Sequence, residues 1–134
     1  KGRFIPGEHV EPAESVDETY PFLLITGRVY HHYHTGTMTR QCAMLSRESG
    51  EALLELNSVD ARKLSLKSGD FVKMTSRRGS ISLKVRITDY ISQGEVYTSF
   101  HFSEVPINLL TVGAKDNKSK CPELKICAVK LQKM

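Results

Sequence analysis

Phe71 to Thr88 reads FVKMTSRRGSISLKVRIT, and its second half decides the fold class. Ile81, Leu83, Val85 and Ile87 alternate with Ser82, Lys84, Arg86 and Thr88, giving one apolar and one wet face. A period of two belongs to a strand buried on one side. The interruption between the two halves ends in Gly79, which is expected to supply the turn of a β-hairpin.

Outward from this hairpin the same grammar recurs. FLLIT (Phe22 to Thr26) predicts a short buried strand ended by Gly27, and ALLELN (Ala52 to Asn57) predicts another. SQGEVYTSF predicts a bend at Gly94 followed by a strand, and ELKICAVKLQ predicts a closing strand. Helical signals are brief. MTRQCAMLS and SVDARKLSL each support a turn or two, the second with Ser58 as its cap and Val59, Leu64 and Leu66 pointing inward. HFSEVPINLLT is expected to run as a loop into a short helix around Ile107 to Leu110. Many short strands with few small helices point to a mainly β domain, a small barrel or sandwich. Residues 1–20, punctuated by Pro6 and Pro12 and acidic between Glu8 and Glu18, read as an extended lead-in segment or linker; residues 21–134 read as one domain.

The chain has 134 residues, 40% hydrophobic and 25% charged, a balance that suits a single core. Its longest apolar run, PFLLI, is far short of the roughly 20 residues of a membrane-spanning helix. The N-terminus has no apolar signal region, and the first residue is Lys1, as expected of a piece of something longer. A net charge of +4 fits an anionic ligand, but no Lys/Arg block marks a nucleic-acid arm. Cys42, Cys121 and Cys127 form no C-x-x-C pair, so buried thiols in a reducing, cytoplasmic compartment are expected.

The chemistry concentrates in GRVYHHYHTGTMTR, Gly27 to Arg40. An H-x-H pair can bind zinc, but a site needs a third ligand and none is assignable. Locally satisfied imidazoles are one alternative. Another is a ring of donors around a polar ligand, beside Arg28 and the hydroxyls of Thr35, Thr37 and Thr39. A Gly/Thr loop opening a helix suits phosphate, and an arginine fork suits phosphate or carboxylate. No nucleophile elbow, metalloprotease helix, P-loop or dinucleotide fingerprint is present.

YPFLLITGRVYHHYHTGTMTR, SFHFSEVPINLLT and KCPELKICAVKL, in that order, resemble the C-terminal domain of molybdenum- or tungsten-dependent formate dehydrogenase alpha (catalytic) subunits. The resemblance extends over nearly the whole chain, departing at Val112-Gly113 and Asn117. It implies a six-stranded double-psi β-barrel of the aspartate decarboxylase-like type. It also implies binding of a bis(molybdopterin guanine dinucleotide) cofactor that supports reversible oxidation of formate to carbon dioxide. By the same resemblance, Arg28, Tyr30, His32, His34 and Thr37 face the cofactor, with backbone contacts from Gly27 and Gly36. Phe100 and His101 lie near it, Asn108 offers a two-pronged amide, and Lys125 pairs with a phosphate or pterin. The imidazoles are then not metal ligands, and no catalytic residue belongs to this stretch. An iron–sulfur cluster belongs elsewhere in the subunit, whose partners are the rest of the alpha chain and an electron-transfer beta subunit, without nucleic acid or membrane insertion. The alternatives are the same domain of a nitrate reductase or formylmethanofuran dehydrogenase, or a stand-alone β-barrel interaction module with its cations on one face.

Overall fold

A computed structural model describes residues 2–134. Six strands close into a barrel: β1 (Phe22–Gly27), β2 (Leu53–Leu56), β3 (Phe71–Thr75), β4 (Ser80–Ile87), β5 (Glu95–Ser99) and β6 (Ile126–Lys133). Around the barrel they run β1, β5, β2, β4, β3, β6 and back to β1. The pairs β1–β5 and β2–β4 are parallel; the other four are antiparallel. This is the double-psi barrel that the resemblance implies. Closure leaves no open sheet edge.

Alternation drives the packing. Leu24, Leu54, Leu56, Val72, Met74, Leu83, Val85, Val96 and Val129 turn inward and are fully buried or nearly so. Each such side chain is worth about 1.5–3 kcal/mol of burial. In the opening hairpin Ile81, Leu83 and Val85 are buried as read, and Ile87 is half-buried against the core. The turn is a four-residue one, with the Ser76 N–H donating to Gly79 O at 2.9 Å. What Gly79 supplies is room: a Cβ there would come within 3.2 Å of Leu109 O.

The helices are as brief as expected, with differences in detail. MTRQCAMLS splits at Cys42 into a 3-10 turn (Thr39–Gln41) and α1 (Ala43–Glu48). The second helix, α2 (Ser58–Lys63), is capped by Asn57 rather than Ser58: its side-chain oxygen accepts the Val59 N–H at 2.9 Å. Asp60 in this helix is buried and accepts the Gly94 N–H at 2.7 Å. A second 3-10 turn spans Ile107–Leu109. Cys127 alone among the thiols is buried, so the expectation of three buried cysteines fails for Cys42 and Cys121.

Residues 2–20 form no helix or strand, and from Ala13 onward the segment is strapped to the rest of the domain. Glu14, with a side chain only 8% exposed, takes Arg77 and Arg78 as ion-pair partners and accepts the Ala128 N–H at 3.1 Å. Burial pushes its carboxyl up, but bonds from Arg78, Ala128 and Arg77 outweigh that and leave it below the usual carboxylate range. No helix among the described residues is long and apolar enough to cross a membrane.

Candidate functional site

Topology gathers the site. Because β1 and β5 are parallel, their C-terminal ends share one rim, and antiparallel β6 begins at that same rim. Arg28 follows β1, Phe100 follows β5 and Lys125 precedes β6. Thr26 stitches these ends together: its N–H donates to Lys125 O at 2.9 Å and its hydroxyl to Leu124 O at 2.6 Å. Gly27 O accepts the Phe100 N–H at 3.3 Å. The result places the Arg28 guanidinium 5.6 Å and the Lys125 ammonium 5.2 Å from the centroid of one phenyl ring, that of Phe100. Two cations around one ring gain cation–π attraction, yet repel each other unless an anion lies between them. Among the described residues neither has a carboxylate partner.

Beside this ring opens a cavity of about 410 Å³, lined by Thr35, Gly36, Thr37, Arg40, Phe100 and Asn108 with residues of the 102–107 loop. That volume falls within the range of roughly 300–1,000 Å³ usual for small-ligand clefts. Its walls mix aromatic faces with hydroxyls and an exposed carboxamide.

The histidines shape this cavity from behind. His101 is fully buried; its Nε2 accepts the Val29 N–H at 2.9 Å, so Nδ1 carries the proton and donates to His34 O. Burial holds its pKa below the usual value, helped by nearby His32 and Arg28, although the bond to the His34 carbonyl works the other way. One neutral imidazole thus pins the loop after β1 to the loop after β5. His32 is also buried: Nε2 donates to Ser49 O at 2.6 Å, and Nδ1 lies 3.1 Å from the Thr39 hydroxyl. Thr39 in turn accepts the Tyr33 N–H at 3.2 Å. Gly36 is required where it stands, with φ +76° and a would-be Cβ only 2.6 Å from His101 O.

The sequence-predicted residues therefore separate into groups. Arg28, Phe100 and Lys125 meet at one ring, and Gly36, Thr37, Phe100 and Asn108 line the cavity beside it. Gly27 ends β1 beneath Tyr97, whose hydroxyl donates to Arg28 O at 2.8 Å. In His32 and His101 all four ring nitrogens are engaged inside the chain, so these side chains brace loops. His34 is exposed and contributes its carbonyl to that bracing, while Tyr30 is 99% exposed and outside the cavity lining. Sequence reasoning missed Arg40, Phe102 and Glu104. Their aromatic and charged character is visible in TMTR and FHFSE, but no spacing rule brings residues 40 and 104 together.

A family profile described as Molydopterin dinucleotide binding domain matches residues 22–128. The chain belongs to this family. As a molybdopterin dinucleotide binding domain it is 49% identical over 134 residues to F420-dependent formate dehydrogenase subunit alpha of Methanocaldococcus jannaschii, covering 100% of this chain and 20% of that one. F420-dependent formate dehydrogenase 2 subunit alpha of Methanococcus maripaludis is 47% identical over 133 residues, covering 99% and 20%. A nitrate reductase of Symbiobacterium thermophilum is 40% identical over 129 residues, covering 93% and 17%. The chain thus spans about a fifth of the length of these relatives. Among solved structures, acetylene hydratase from Pelobacter acetylenicus aligns with a TM-score of 0.69 at 16% identity over 86% of this chain and 18% of that one, a likeness of fold. The donor set fits the family's ligand in kind: uncompensated cations for phosphate, an aromatic wall for a flat ring, and an amide with both donor and acceptor.

Proposed function

We propose that this domain forms part of the bed of a bis(molybdopterin guanine dinucleotide) cofactor in the alpha subunit of a formate dehydrogenase. Arg28 and Lys125 hold a phosphate or the pterin by charge, Phe100 and the 35–37 loop line the bed, and Asn108 addresses a guanine or pterin edge. The observation that carries this reading is the pair of cations around Phe100, a residue of the cavity wall. When bound, the cofactor supplies the redox chemistry of its molybdenum or tungsten, by which the full enzyme oxidises formate reversibly to carbon dioxide. This chain's residues bind and orient it. The remainder of the alpha subunit provides the metal ligand and an iron–sulfur cluster, and a beta subunit carries the electrons onward; two relatives are named as F420-dependent, which supports F420 as the acceptor. The enzyme works in the cytoplasm. The 40% identity to a nitrate reductase supports a second reading, the same cofactor bed serving nitrate reduction.

The test is made in the full enzyme. Arg28→Ala and Lys125→Ala each remove a charge-assisted contact worth roughly 1.5–3 kcal/mol, so metal and pterin content should fall in both. Full occupancy in both variants refutes the assignment. Turnover of nitrate rather than formate by the full enzyme selects the second reading.

A further inference from the structure

Arg40 is the cation in the cavity's own lining among the described residues, and its charge is cancelled on the spot. Its Nη1 donates to Glu104 Oε2 at 2.7 Å and Nη2 to Oε1 at 2.5 Å, a two-pronged pair between the loop after β1 and the loop after β5. The guanidinium also lies 5.0 Å from the centroid of Phe102. Its stem crosses Gly36, where a Cβ would come within 2.8 Å of Arg40 Cδ, and its N–H donates to Gly36 O at 2.9 Å. Fork, ring and stem together fix one rotamer. The bond from Arg40 holds the Glu104 carboxyl at about 2, so the pair stays charged on both sides through the neutral range.

Cations thus stand near the cavity in two states. Arg28 and Lys125 lie around Phe100, one of its lining residues, and among the described residues neither has a carboxylate partner. Arg40, in the lining itself, has the same chemistry, but Glu104 occupies its fork. We propose that Glu104 masks Arg40: the pair is a positioning latch that clamps the 35–40 loop to the 100–108 loop and leaves the pull on anions to Arg28 and Lys125 around Phe100. The identity of that anion rests on the cofactor reading; the latch does not. Without Glu104 the guanidinium remains stacked on Phe102 with its fork open, and a competing anion site appears in the cavity wall.

The test compares the wild-type chain with Glu104→Gln and with the double variant Arg40→Gln/Glu104→Gln, using amide exchange and titration with inorganic pyrophosphate followed by amide shifts. Glu104 is 61% exposed on a loop, so protection in β2, β3 and β4 should persist and certify the fold. In Glu104→Gln, amides of residues 35–41 should exchange about tenfold faster. Pyrophosphate should bind about two- to fivefold more tightly, with new shifts at Arg40 and Phe102. The double variant should keep the fast exchange and lose the added binding, which a merely structural contact does not predict. Unchanged exchange in Glu104→Gln overturns the latch, and tightened binding that survives in the double variant overturns the mask. Failure of the wild type to bind pyrophosphate near Arg28 and Lys125 counts instead against the cofactor reading.

Discussion

Replacing His101 with Phe keeps the volume and planarity of a fully buried ring while deleting both of its hydrogen bonds. The Val29 N–H loses its acceptor in a half-buried position, and an unsatisfied donor of that kind costs about 1–3 kcal/mol. The His34 carbonyl belongs to an exposed residue and recovers part of its loss from water. The sum comes to about 2–4 kcal/mol of unfolding free energy. The imidazole also leaves a pH signature. Its folded pKa is depressed, so unfolded chains bind the proton more readily. The stability it contributes is complete above the unfolded value of about 6.5 and is lost as pH falls from there through the folded value, with a slope of up to about 1.4 kcal/mol per unit. The carboxylates with lowered pKa act only further down, near pH 4.5 and below. Urea unfolding of wild type and His101→Phe, followed by circular dichroism between pH 7.5 and 5.0, separates the two. The variant should be weaker at pH 7.5, and the gap should narrow as the wild type loses stability toward pH 5. A variant within 0.5 kcal/mol of wild type with the same pH slope would refute the bracing role.

Gly36→Ala should cost about 1–3 kcal/mol in the same urea assay, because φ +76° and the approach to His101 O both oppose a side chain. Glu14→Gln strips the ion pairs to Arg77 and Arg78, which are 37% and 28% exposed, and should cost about 1–2 kcal/mol at pH 7. Since the Glu14 pKa is lowered by folding, its contribution is present above about 4.5 and lost as pH falls, so the variant's acid limb should be shallower. Burial pushes the Cys127 thiol up to about 11, while Cys42 and Cys121 are exposed. Iodoacetamide at pH 8 should therefore modify two thiols in the native chain and the third only in urea, as counted by mass.

The barrel was legible because burial writes itself into alternation. The β4 pattern from Ile81 to Ile87 named its inward face without knowledge of any partner strand. Strand order was not legible, since parallel pairing of β1 with β5 depends on contacts some seventy residues apart in the chain. Within the site, cations and amide were readable as residue types, and their convergence on Phe100 came through the resemblance rather than through spacing. Histidine roles were not legible for a physical reason: in a sequence, an imidazole that braces two loops and one that meets a ligand look identical. Asn57 displaced Ser58 as cap by one position, within the usual uncertainty of helix ends.

The central claim is that donors from three distant segments share one anion-binding hollow. Titrating the isotopically labelled chain with guanosine diphosphate and mapping amide shifts tests it most directly. Shifts should concentrate in residues 27–37, 100–108 and 124–125, with the opposite rim, at the turns near Gly69 and Gly94, silent. Shifts confined to the lysines between Lys115 and Lys120, or to that opposite rim, would contradict it.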